Sequence, residues 1–206
     1  MKYKLSHPEL LEVRDGATVY FGGSQEWYSD AWKKRAGCGP VSASLIMWYL
    51  ARSRAGLSGL CDAENRNIGG FLRLMEDMFG FVTPGMKGVN TSKIFTEGAL
   101  RYAASKLAPL AADILEIDKI FRPPHKKVRD FIQKSLLADC PVAFLNLSNG
   151  KVKNLDNWHW VTIVEFGYET GMATACDQGR KIDIDIIRWL RTSLLGGAFV
   201  TLREAD

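Results

Sequence analysis

Gly37-Cys38-Gly39-Pro40-Val41-Ser42-Ala43-Ser44-Leu45-Ile46-Met47-Trp48-Tyr49-Leu50 is the stretch from which the fold can be read. Pro40 suits the first turn of a helix, where a missing N–H costs nothing. On a helix, Val41, Leu45, Trp48 and Tyr49 share one face, and Ile46 and Leu50 cover much of the other. A helix apolar nearly all round belongs in the middle of a core. Cys38 then stands at the start of a buried helix, where free N–H groups and the helix dipole favour a thiolate.

Working outward, the segment before this helix, residues 25–37, has no clear period and reads as a loop. Before that, Leu10–Val13 and Ala17–Phe21 flank Asp15-Gly16, the signal of a hairpin. After the central helix, apolar spacing predicts helices over Ile68–Phe79, Ser92–Leu107 and Pro124–Ala138. From residue 140 the pattern changes to short β-type runs: Val142–Leu147, Trp160–Phe166, Met172–Cys176 and Phe199–Leu202. Leu115–Ile117 is a further candidate strand, and Ile184–Leu194 reads as a short helix across the sheet. Helices followed by strands imply an α+β fold. The expected layout is a single domain over 1–206, with a helical lobe at about 24–138 and an antiparallel sheet lobe at about 140–206.

Composition narrows the function. Of 206 residues, 47% are hydrophobic and 24% charged, the profile of a globular chain. The most apolar stretch, about Ala43 to Ala51, is far short of the ~18 residues that a membrane helix needs, and residues 2–14 hold no signal-peptide core. A cytoplasmic protein with no membrane partner is therefore expected. The net charge of +4 is mild and its lysines and arginines are scattered, so no nucleic acid is expected as partner. The four cysteines, Cys38, Cys61, Cys140 and Cys176, form no CxxC pair, and no metal or other cofactor is expected. Cys140 and Cys176 read as core residues and His125 as a solvated first-turn residue.

Three features carry chemistry. The first is Cys38, flanked by Gly37 and Gly39, which would let a substrate backbone approach closely. The second is Asn157-Trp158-His159-Trp160, a histidine at the entrance to a strand with Trp158 and Trp160 as cleft walls. Imidazole is the usual base for a thiol nucleophile because it titrates near neutrality. The third is Cys176-Asp177-Gln178-Gly179 at the end of the next strand, from which Asp177 would hold the imidazole in its useful tautomer. His159 lies 121 residues after Cys38, and Asp177 a further 18. Lys33-Lys34-Arg35, just before the cysteine, is a solvated cluster or a lure for an acidic substrate.

Taken in order, Cys-Gly-Pro opening a helix, the Cys140-Pro141-Val142-Ala143-Phe144-Leu145-Asn146 strand, His159-Trp160-Val161-Thr162-Ile163-Val164 and the Asp177-Gln178-Gly179 turn resemble the papain-like cysteine peptidases. The nearest branch is the bacteriocin-leader-processing (double-glycine) peptidases. The resemblance implies a papain-like fold in which the helix of Cys38 packs on a sheet bearing His159 and Asp177. It also implies a thiol hydrolase, a peptidase or amidase, with Cys38 as nucleophile, His159 as general base and acid, and Asp177 as orienting residue. The family's oxyanion-hole glutamine lies about six residues before the cysteine, where this chain has Trp32. Gln25 is the only glutamine upstream of Cys38 and is the candidate for that place. The same triad would serve transglutaminase-like acyl transfer, and the displaced glutamine favours a rival, a non-catalytic peptide-binding module. The expected partner is a peptide or other acyl substrate.

Overall fold

In a computed structural model, which describes residues 1–205, the chain forms one antiparallel sheet with helices on both faces. Its strands are β1 (Lys2–Lys4), β2 (Glu12–Asp15), β3 (Thr18–Phe21), β4 (Leu110–Ile117), β5 (Val142–Asn146), β6 (His159–Gly167), β7 (Met172–Asp177), β8 (Arg180–Asp185) and β9 (Gly197–Glu204). Its α-helices are α1 (Ala31–Ala36), α2 (Cys38–Ser53), α3 (Ile68–Phe81), α4 (Ser92–Ser105), α5 (His125–Leu137) and α6 (Ile186–Thr192). The main sheet has the order β4-β9-β5-β6-β7-β8, with β1 also paired to β6. β1 lies along Glu165–Gly167, just past Ile163, where the pairing of β5 with β6 ends. β2 and β3 form the separate hairpin that Asp15-Gly16 signals, and Gly16 takes the positive φ of 55° that this turn requires.

The mixed α+β class agrees with the sequence pattern. The two lobes are less separate than expected. β4 falls within the helical stretch of sequence yet pairs along its whole length with β9. α5 also lies on the opposite face of the sheet from α2 and α4. Residues paired directly across a sheet share a face. Phe144, Phe199 and Thr201 lie on the face where Ser135 of α5 hydrogen-bonds Thr201 at 2.7 Å and Trp189 of α6 packs on Phe144. Trp160 and Thr162 lie on the other, where Trp160 stacks on Phe95 of α4 and Thr162 meets Ser42 of α2 at 2.9 Å. The sheet is thus buried on both sides, and every residue of β5 is buried.

α2 is the central helix. Residues Ala43–Ala51 are all buried, including Trp48 and Tyr49, whose rings contribute about 2–3 kcal/mol each by leaving water. Residues 25–37, expected as a loop, instead hold a short 3-10 turn at Gln25–Trp27 and then α1. α1 buries little beyond Ala36 and leaves Trp32 and Arg35 outside, so it has no apolar stripe to read. Its signal is at the N-cap, where Asp30 accepts a hydrogen bond from the Lys33 N–H at 2.9 Å. No helix among the described residues is long and apolar enough to cross a membrane.

Candidate active site

Cys38 opens α2, and Gly37 joins α1 to α2 in helical conformation. The glycines flanking Cys38 are both buried and line neither cavity beside the thiol. They are needed for packing. A Cβ on Gly37 would lie 2.6 Å from the Tyr28 ring, and one on Gly39 would lie 2.8 Å from Val89. The two tryptophans also divide. Trp160 is buried, stacked on Phe95 with its ring N–H donating to the Val89 carbonyl at 2.6 Å. Trp158 is half exposed and takes a φ of +55°, and its carbonyl stands 4.0 Å from the Cys38 Sγ.

His159 begins β6 and is 6% exposed. Its Nε2–H donates to Asp177 Oδ1 at 2.7 Å; a carboxylate only accepts, so the proton is on Nε2. That leaves Nδ1 as the ring nitrogen not engaged by Asp177, in a cavity that Cys38 and His159 line together. Burial acts to lower the basicity of the imidazole. The hydrogen bonds and charges of Asp177 and Cys38 outweigh it and raise the pKa from 6.5 to about 10. The imidazole is therefore held as a cation at neutral pH. Burial pushes the other thiols the opposite way from reactivity: Cys61 and Cys140 upward, and Cys176 up to about 12. All four cysteines are free.

Asp177 ends β7 in a two-residue hairpin. Gln178 and Gly179 take φ values of 47° and 74°, which match a type I′ turn. This turn is tied to the segment after β3. The Gly179 N–H donates to the Gly23 carbonyl at 3.0 Å, and the Phe21 N–H donates to the Gly179 carbonyl at 2.9 Å. The Ser24 hydroxyl donates to the Gln178 side-chain carbonyl at 2.6 Å. The same turn that places Asp177 therefore places the residue after Ser24, which is Gln25.

Gln25 lines a cavity of about 20 Å³ together with Cys38, His159, Asp177 and Gln178. Its side-chain oxygen is buried with no hydrogen-bond partner among the described residues. The twelve positions between Gln25 and Cys38 are taken up by the 3-10 turn and α1, which bring the chain back to the same point. The structure thus gathers Cys38, His159, Asp177 and Gln25 in one place. Sequence reasoning missed Ser24 and Gln178 as the clamp; the positive-φ Gln-Gly pair of a tight hairpin was the available signal. Among the described residues, no three of His, Cys, Asp and Glu gather where they could hold a metal ion. Compared with protein-family models and with curated proteins, the chain matches none.

Proposed function

We propose that the protein is a cysteine-dependent hydrolase of papain-like type, acting on a peptide or other acyl substrate. The observation that carries this reading is that Cys38, at a helix start, lines one small cavity with the hydrogen-bonded His159–Asp177 pair. In the resting pair the proton of Cys38 already resides on Nδ1 of His159, and the thiolate sulfur attacks the substrate carbonyl carbon. The C–S bond forms as the carbonyl electron pair moves onto oxygen. Collapse expels the amine, which takes the proton from His159, and leaves a thioester on Cys38. A water molecule, deprotonated by His159, then attacks the thioester; the acid leaves and the thiol is restored.

The oxyanion would accept from the side-chain NH2 of Gln25 and from the N–H groups at the start of α2, which have no intrahelical partner. The 20 Å³ cavity between them has room for about one oxygen-sized group. A glutamine lining the same cavity as the thiol speaks against a purely binding role, which the spacing of Gln25 in sequence had favoured. The test is a burst experiment with p-nitrophenyl acetate. The reading expects a stoichiometric burst of nitrophenolate and an acetyl group on Cys38 by peptide mass spectrometry, both lost in Cys38→Ala with the fold intact. An undiminished burst in that variant would overturn it.

A further inference from the structure

Two cavities meet at Cys38, and their sizes assign them different tasks. The inner one, at about 20 Å³, is too small for any side chain. The outer one is a cleft of about 330 Å³, at the low end of ligand-binding volumes. A substrate group attached to the carbonyl under attack must therefore lie in the outer cleft. Its walls are Trp32, Met86 and Trp158, with Arg35 and Lys87 beside them, and no acidic residue lines it. The two tryptophans are 41% and 47% exposed and Met86 is 98% exposed, so the apolar surface has no cover within this chain.

The cations are also without partners. Among the described residues, Arg35 and Lys87 make no hydrogen bond or ion pair, whereas the neighbouring Lys33 is held by Glu76. The walls are anchored despite their exposure. Trp32 and Arg35 are three positions apart on α1 and so share a face. Met86 and Lys87 form the tip of a tight turn closed by reciprocal hydrogen bonds between Gly85 and Gly88 of 2.8 and 3.2 Å. The next residue, Val89, is buried against Gly39 and accepts from Trp160.

We infer that this cleft selects a peptide acyl donor carrying a carboxylate beside an aromatic or long aliphatic side chain, both within a residue or two of the scissile carbonyl. The apolar group lies between Trp32, Trp158 and Met86, and the carboxylate between Arg35 and Lys87. The inference rests on the thiol-hydrolase reading, so its test needs a readout that separates the two.

The experiment compares alkylation of Cys38 by iodoacetamide and by N-iodoacetyl-Phe-Glu, N-iodoacetyl-Phe-Lys and N-iodoacetyl-Ala-Glu, each as its C-terminal amide, in the full chain, at low ionic strength. The expected Phe-Glu to Phe-Lys rate ratio is about tenfold, falling toward about twofold in Arg35→Gln/Lys87→Gln and in high salt, because the cations are exposed and screened. Trp32→Ala is expected to erase the advantage of Phe-Glu over Ala-Glu while leaving the Glu-to-Lys ratio in place. Using ratios within one variant cancels any change in the thiol itself. Fast iodoacetamide labelling with no discrimination among the peptides, or discrimination unchanged in the double variant, overturns this inference alone. A Cys38 inert to iodoacetamide overturns the hydrolase reading and the inference with it.

Discussion

Asp177→Asn should move the titration of His159 by about three pH units. In the wild type the ring is buried, its Nε2–H is bonded to Asp177 at 2.7 Å, and its pKa stands at about 10. Removing the carboxylate charge while keeping a polar side chain deletes a pair interaction of about 4 kcal/mol, taking 4 Å between charge centres and an effective dielectric constant near 20. At 1.36 kcal/mol per pH unit, that is a fall of about 3 units, to near pH 7. Burial, which already opposes the cation, pushes in the same direction. The assay is side-chain ¹⁵N NMR. With only His7, His125 and His159 in the chain, the three ring signals can be assigned by single substitutions. The wild-type His159 signal should stay in its cationic position through pH 9 and that of the variant should titrate near 7. A wild-type His159 that titrates near 6.5, or a variant with an unchanged midpoint, would refute the reasoning.

The same shift has a consequence for stability. A histidine whose folded pKa is raised contributes stability that is present in full below its unfolded value of 6.5 and is lost as pH rises through about 10. The gap in unfolding free energy between wild type and Asp177→Asn should thus be on the order of 4 kcal/mol at pH 6 and should narrow toward pH 10, by urea titration; a gap that does not vary with pH would count against it. Gln25→Ala should weaken reversible inhibition by acetyl-phenylalaninal about 100-fold, since the hemithioacetal carries an oxyanion. Alkylation of Cys38 forms no oxyanion and is the control, so an equal fall in both would assign Gln25 to structure instead. Gly39→Ala should cost about 1–3 kcal/mol, because its Cβ would meet the β-branched Val89 at 2.8 Å. An unchanged melting temperature would show that this wall yields freely.

Long elements with a strong period were legible in the sequence. α2 and α5 announce themselves through their apolar positions, and β6 and β7 through short β-type runs, so Cys38, His159 and Asp177 could be placed at element ends from the sequence. What was not legible is short or is fixed by distant contacts. β1 is three residues long and exists because Glu165–Gly167 offers an edge. β8 was hidden because Ile182 and Ile184 run directly into the apolar residues of α6, and the sheet-to-helix change falls at Asp185, whose side chain caps α6. The packing roles of Gly37 and Gly39 were not legible because Tyr28 and Val89, which an added Cβ would meet, lie in a stretch without period or far along the chain. The return of Gln25 to the thiol depends on α1 and on the Ser24–Gln178 clamp, and neither has a periodic signature.

The central claim is that His159 activates Cys38. It is tested most directly by the rate of iodoacetamide alkylation of each cysteine against pH, read by peptide mass spectrometry, with His159→Ala alongside. The account predicts that Cys38 reacts fastest, stays reactive well below pH 8 and slows markedly in the variant, while Cys61, Cys140 and Cys176 lag behind. A Cys38 that reacts no faster than Cys61, or that is indifferent to the loss of His159, would contradict it.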